Sequence, residues 1–173
     1  ALMVKIDNHD AARPQIGLEF ADIVFEEVVE GGLTRFAAVF HSRDADPVGP
    51  VRSARTSDFG LLEALGTPLF ANSGANDTVL GMLDDINMID VGSNAVRDAY
   101  YRDGERNAPH NLLSTTSALF AAGAARGGQG APVPLFAYRD PGSPVHRDAI
   151  PVAGIDIEFG STSVGYRWDS ERS

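Results

Sequence analysis

The segment Asp22-Ile23-Val24-Phe25-Glu26-Glu27-Val28-Val29-Glu30-Gly31-Gly32-Leu33-Thr34-Arg35-Phe36-Ala37-Ala38-Val39-Phe40 decides the fold. Two β-rich runs, Asp22 to Glu30 and Arg35 to Ser42, flank Gly31-Gly32, and a glycine pair between such runs is a strong hairpin signal. A two-residue turn at Gly31-Gly32 sets Ile23 opposite Phe40, Phe25 opposite Ala38, Glu27 opposite Phe36 and Val29 opposite Thr34. That is the core face, and Glu27 is its one ionisable member. The other face sets Asp22 against His41, Val24 against Val39, Glu26 against Ala37 and Val28 against Arg35, with Arg35 diagonal to Glu26 and Glu30. A carboxylate among Phe25, Phe36 and Val29 must be neutralised or paired with a buried arginine. Glu27 is therefore a candidate catalytic acid or the anchor of a site arginine. Two plainer readings stand beside this, a buried ion pair and a β-bulge that turns Glu27 to solvent.

Outward from the hairpin, Met3 to Asp7 reads as a strand that opens into the polar Asn8-His9-Asp10, with a turn at Arg13-Pro14-Gln15. Downstream, the loop Asp46-Pro47-Val48-Gly49-Pro50 leads into Arg52-Ser53-Ala54-Arg55. A helix carrying Phe59, Leu62 and Leu65 then runs to Gly66, with Thr56, Ser57 and Asp58 as capable N-caps. Leu69 to Ser73 is a buried strand, and Asp77 to Ile86 is a helix with Val79, Leu83 and Ile86 on one face. A strand around Met88 to Val91 precedes a polar stretch from Arg97 to Asn111, and the Ala-rich helix Thr116 to Arg126 is capped by the Ser114 and Thr115 hydroxyls. Gly127 to Pro134 is a loop or linker, and the tail is β-like at Leu135 to Tyr138, Gly154 to Phe159 and Val164 to Trp168. The fold class is α/β (α+β): a mixed-sheet sandwich with a central hairpin and about three helices packed on the sheet. Residues 1–150 form the main domain, and 151–173 form the β-rich start of a second, which stops at Glu171-Arg172-Ser173 where a hairpin partner is expected.

The totals bound the function. With 173 residues and a net charge of −10, the chain is a poor ligand for nucleic acid, which needs a basic surface. The absence of cysteine removes disulfides, zinc–thiolate sites and thiol catalysis. Lys5 is the only lysine, so chemistry needing a second amine is excluded. No run approaches the roughly 18 apolar residues that span a bilayer. The chain begins at Ala1 without a signal peptide, so targeting information was removed or never present.

The candidate site residues fall in three places. Arg52, Ser53 and Arg55 precede a helix start, where unpaired N–H groups and planar guanidinium forks suit phosphate or carboxylate. The alternative is that both arginines pair with carboxylates such as Glu27 and Glu30 and only brace the fold. The polar run ending in Ala108-Pro109-His110-Asn111 carries aromatic, arginine and amide groups suited to recognition, with His110 a candidate general base oriented by Asn111. A surface loop whose His and Asn cap the next element is the plainer reading. Asp7-Asn8-His9-Asp10 lines up hard and borderline metal ligands, but consecutive residues rarely face one ion, so no metal site is expected. No nucleophile elbow, P-loop, HExxH or Rossmann glycine pattern is present.

Ile6-Asp7-Asn8-His9, Ala12-Arg13-Pro14-Gln15, Gly17-Leu18, Ala21-Asp22-Ile23-Val24, Glu26-Glu27, Glu30 through Phe36, Gly49 through Arg55 and Ala108-Pro109-His110-Asn111-Leu112 follow one another in order. This series resembles the N-terminal domain of the YerB-like lipoproteins, a family of unknown function from Gram-positive bacteria. The resemblance covers most of residues 1 to about 150, and the tail is similar to the start of that family's second domain. It implies a mixed α/β sandwich in an extracytoplasmic protein, tethered by lipid on a cysteine upstream of Ala1. It brings no established substrate or catalytic residue. Two functions follow as expectations. In the first, an envelope module holds an anionic small molecule or an envelope protein partner with Arg13, Arg35, Arg52, Ser53, Arg55, Glu30, His110, Asn111 and Asn8, without a cofactor or nucleic acid. In the second, an envelope phosphotransferase or hydrolase acts on phosphate-containing, lipid-linked intermediates, with Glu27, Asp7 or His110 in the chemistry and magnesium as its ion.

Overall fold

The computed structural model of the protein describes residues 1–128, 130–132, 134–140, 142–160 and 162–171. Nine strands are present among them: β1 (Leu2–Asp7), β2 (Ile23–Val28), β3 (Thr34–Phe40), β4 (Leu69–Ala71), β5 (Ile89–Asp90), β6 (Tyr100–Arg102), β7 (Leu112–Ser114), β8 (Gly154–Phe159) and β9 (Thr162–Arg167). Three helices accompany them: α1 (Asp58–Ala64), α2 (Asp77–Leu83) and α3 (Thr116–Ala124). The main sheet has the order β2-β3-β1-β4-β5, antiparallel through β2, β3 and β1 and parallel from β1 through β4 to β5. It is the expected mixed sheet, with β1 at its centre and the hairpin on one side.

Every residue of β1 is buried, so its two faces read out the two cores. Leu2, Val4 and Ile6 pack with Ala38, Phe40, Val48, Val51, Leu112 and Leu119, which places α3 and the β6–β7 hairpin over that face. Met3 lies on the opposite face with Ala37, Val39, Leu62, Leu65, Phe70, Val79 and Leu83, which places α1 and α2 there. The helices are short but punctuated as their sequences require. Asn76 caps α2 by accepting from Val79 N–H at 2.9 Å, and Thr115 caps α3 by accepting from Ala118 N–H at 3.1 Å. Ser114, expected to share that cap, instead donates to Ala99 O at 2.7 Å.

The hairpin forms with a register one residue from the expected one. Glu27 pairs with Arg35, Phe25 with Ala37 and Ile23 with Val39. The cause is the loop. Glu30 joins Gly31 and Gly32 in a 3₁₀ turn closed by Val29 N–H donating to Leu33 O at 2.8 Å, so three residues rather than two span the strands. A shift of one moves a whole strand to the other face. Arg35 therefore shares a face with Glu27, and Phe36 leaves it for the core under α3.

The tail departs from expectation at one point. Leu135 to Tyr138 forms no strand; Leu135 packs against the core beside α1 and α2, while Phe136 and Tyr138 are exposed. The β8–β9 hairpin forms as a separate two-stranded sheet. It meets the body through Thr162 Oγ1 donating to Gly32 O at 2.9 Å and Tyr166 OH donating to Glu26 Oε2 at 2.9 Å. Of the expected linker, residues 129 and 133 lie outside the described residues, as do 172 and 173 of the expected break.

Candidate functional site

β1, β4 and β5 run parallel, and their carboxyl ends carry Asp7-Asn8, Asn72-Ser73 and Asp90 to Asn94. The strap Pro50 to Ala54 crosses these ends. Asp7 N–H donates to Pro50 O at 2.9 Å and Arg52 N–H to Lys5 O at 2.8 Å, while Ser73 N–H donates to Arg52 O at 3.0 Å and Ala54 N–H to Gly74 O at 2.9 Å. The crevice outside the carboxyl ends of parallel strands is where open α/β sheets bind ligands. The strap sets Arg52 and Ser53 on that crevice.

Arg52 lines two hollows. The larger, about 620 Å³, is lined by Arg52, Arg97 and Arg102, by Ser53, Ser73 and Ser93, and by Asn94, Tyr100 and Tyr101, with no carboxylate in its wall. The Arg97 side chain is exposed and forms no hydrogen bond or ion pair with the described residues. Arg102 donates to Asn111 Oδ1 at 2.6 Å. Tyr100 is turned inward, donating to Val91 O at 2.6 Å, and burial pushes its phenol well above the ordinary range.

The smaller hollow, about 230 Å³, is lined by Asp7, His9, Glu30, Arg35, Arg52 and His110, with Val29, Leu33 and Thr34. Asp7 Oδ2 lies 3.0 Å from Arg52 Nε, an ion pair without hydrogen-bond alignment, and 2.8 Å from His110 Nδ1. The His9 ring stacks on His110 at 4.7 Å between centroids. Arg35 donates to Ser53 O at 2.9 Å. Burial is the largest influence lowering the Arg35 pKa; the nearby Arg55 and Arg52 charges add to it, and Asp7 and Glu30 oppose it.

The expected site residues thus divide. Arg35, Arg52, Glu30 and His110 meet at the smaller hollow, and Ser53 lines the larger. Arg55 closes on Glu30 at 2.7 Å. Arg13 and Asn8 line a third hollow with Asp10, and Arg13 pairs with Asp10 at 3.1 Å. Asn8 is buried, donating to Thr34 Oγ1 at 2.7 Å and accepting from Gln15 Nε2 at 2.8 Å. Asn111 does not orient His110. It is buried and donates to Asp103 O and Arg106 O, and the residue on His110 Nδ1 is Asp7. The seven-residue helix α1 has no side-chain cap, and its first N–H groups are taken by the preceding turn, Asp58 N–H donating to Arg55 O at 3.1 Å and Phe59 N–H to Thr56 O at 3.3 Å.

Glu27 lies outside both hollows. Its partner is not an arginine but Lys5, which is fully buried and also lies 2.8 Å from Asp58 Oδ1. Burial is the main cause that raises the Glu27 pKa. The Lys5 charge opposes it, and the Asp58 carboxylate adds to it. Sequence reasoning marked the Arg97 to Asn111 run as a recognition segment without singling out Arg97 and Arg102, and it passed over Ser73, Ser93 and Asn94. The last three lie at or just past the ends of the two expected strands, and their polar character after those buried runs is the signal that could have found them. Among the described residues no group of three or more His, Asp or Glu residues could hold a metal ion.

Residues 1–129 match the family described as "Protein of unknown function (DUF3048) N-terminal domain". The chain belongs to that family. Over 52 residues it is 58% identical to "Putative lipoprotein YerB" of Bacillus subtilis (strain 168), a stretch that is 30% of this chain and 16% of the relative. The fold superposes on the crystal structure of YerB protein from Bacillus subtilis with a TM-score of 0.79 and 26% identity, over 99% of this chain and 58% of that one. The chain therefore spans little more than half of that relative's crystallised length. As a DUF3048 domain, it is an uncharacterised YerB-like domain carrying exposed charged residues.

Proposed function

We propose that this domain binds an anionic ligand in the crevice at the carboxyl ends of β1, β4 and β5, with Arg52, Arg97 and Arg102 as its cationic contacts. The observation that carries the reading is the wall of the larger hollow, with three arginines and no carboxylate in a chain of net charge −10. Three arginines elsewhere meet acids, Arg13 with Asp10, Arg55 with Glu30 and Arg106 with Asp103; of the three in this wall Arg52 also meets one, Asp7, which lies outside the wall. Guanidinium forks without a carboxylate across from them suit phosphate or carboxylate oxygens, and serine and asparagine side chains supply neutral hydrogen bonds. Burial lowers the Arg35 pKa, repulsion from Arg55 and Arg52 adds to it, and an anion nearby would offset that repulsion.

The setting belongs to the same proposal. Likeness to a protein named as a lipoprotein supports an extracytoplasmic domain tethered by lipid, with an envelope small molecule or the acidic segment of an envelope protein as ligand. No helix among the described residues is long and apolar enough to cross a membrane. The β8–β9 hairpin is read as the opening of a second domain, supported by its separate sheet and by the family match ending at residue 129.

Thermal shift against phosphate and pyrophosphate tests the binding. A ligand at a hundred times its dissociation constant adds about 2.7 kcal/mol of stability. Arg97→Ala, which removes no described bond, should leave the unliganded melting temperature unchanged and abolish most of the shift. Arg55→Ala should retain it. A shift equal in wild type and Arg97→Ala contradicts the reading.

A further inference from the structure

We propose that His110 is the general base of a phosphoester-cleaving centre in the smaller hollow, a reading that rests on the anion-binding role of the arginines. Asp7, buried at the end of β1, fixes the ring through the 2.8 Å contact between Oδ2 and His110 Nδ1. An ionised carboxylate only accepts, so Nδ1 carries the ring proton and the neutral imidazole keeps a lone pair on Nε2. Nε2 is bonded to none of the described residues, and the stacked His9 ring covers a face of His110 rather than its edge. Base, orienting acid and two guanidinium groups, Arg35 and Arg52, line the same 230 Å³ with the Glu30 carboxylate, whose charge is met by Arg55 at 2.7 Å.

That combination selects a reaction class. A phosphate ester is negatively charged before it reacts and repels an incoming oxygen nucleophile. Fixed cations offset this repulsion and hold the charge that builds on the phosphoryl oxygens. In the step assigned here, His110 Nε2 takes a proton from water as the water oxygen bonds to phosphorus. The bond from phosphorus to the leaving oxygen breaks with its electron pair on that oxygen, and the proton on Nε2 passes to it. Neutral carboxyl esters and glycosides carry no ground-state charge for two arginines to meet. The larger hollow, which shares Arg52, adds Arg97 and Arg102 with Ser53, Ser73, Ser93 and Asn94, suited to a substituent that carries both hydroxyl groups and a further negative charge. The substrate class is a phosphate ester of a polyhydroxylated alcohol that carries a second anionic group, and Asp7 is a positioning residue.

Release of nitrophenolate from para-nitrophenyl phosphate and bis(para-nitrophenyl) phosphate measures cleavage, and thermal shift with inorganic phosphate measures binding in the same preparations. The wild-type chain should cleave at least one probe. His110→Gln should lower kcat by about 100-fold or more with the phosphate shift intact. Asp7→Asn should move the pH–rate profile, because the ring loses its fixed tautomer, and added imidazole should restore part of the rate of His110→Ala. A wild type that binds phosphate but cleaves neither probe overturns the proposal and leaves the binding reading standing, as does a His110→Gln rate equal to wild type. If His110→Gln fails to fold, absence of imidazole rescue in folded His110→Ala overturns it. A wild type that neither binds phosphate nor cleaves a probe removes both readings.

Discussion

Lys5, the only lysine in the chain, sits fully buried between Glu27 and Asp58. One ammonium shared by two buried carboxyl groups leaves an excess of negative charge; burial raises the Glu27 pKa, with the Asp58 carboxylate adding to it and Lys5 opposing it. Lys5→Met should destabilise the fold by about 3–5 kcal/mol in chemical denaturation, because two buried acids lose their partner. The pH dependence has a definite sign. The folded-state pKa of Glu27 lies above its ordinary 4.5, so the native state holds more protons than the unfolded one above that pH. Its contribution is complete below about pH 4.5 and is lost as pH rises through the folded value, and Glu27→Gln should flatten that decline in a urea-midpoint series against pH. The special status of Glu27 was legible as a charge inside an apolar run. Lys5 was not legible as its partner, because the two are joined only through strand register. His110 was legible as a candidate, but Asp7, whose carboxylate meets its ring, lies 103 positions away.

At the scale of elements, the β2–β3 hairpin was readable from the glycine pair, and its register was not. Glycine pairs support both two- and three-residue loops, and here Glu30 enters the turn. Two glycines, one of them from that pair, separate strain from packing. Gly31 has φ 73°, and a Cβ there would meet nothing within 4 Å. Gly31→Ala should therefore cost only the left-handed penalty, about 1–2 kcal/mol. Gly49 has φ 146°, and a Cβ would lie 2.8 Å from Leu113 Cδ2 and 2.9 Å from Leu112 O. Gly49→Ala should destabilise more than Gly31→Ala in the same denaturation assay; equal costs would mean that the strap beside Arg52 is loosely held. The helices were readable from their apolar spacing and caps. The failed strand at Leu135 to Tyr138 had the right residues but pairs with no strand among the described residues, which no local pattern reveals.

Across the whole molecule, the mixed sheet with helices on it was legible, and the crevice was only partly so. Arg52 and Ser53 were visible in a motif. Arg97, Arg102, Ser73 and Ser93 become one wall only when three parallel strands end side by side, a property of strand order rather than of any segment. Strand order also separates the firmly held from the loosely held parts. The described residues in 134–153 contain no helix or strand and are mostly exposed, and two side-chain hydrogen bonds tie β8–β9 to the body. Limited proteolysis should cut in that stretch first and leave residues 1–128 protected; first cuts inside the body would contradict this. The central claim concerns the arginine-lined crevice. It is tested most directly by a crystal structure of the protein soaked with tungstate, a heavy phosphate mimic visible by anomalous scattering. The account predicts an anomalous peak within hydrogen-bonding distance of the Arg52 guanidinium and of Arg97 or Arg102. A crevice left empty while tungstate occupies other arginines would contradict it.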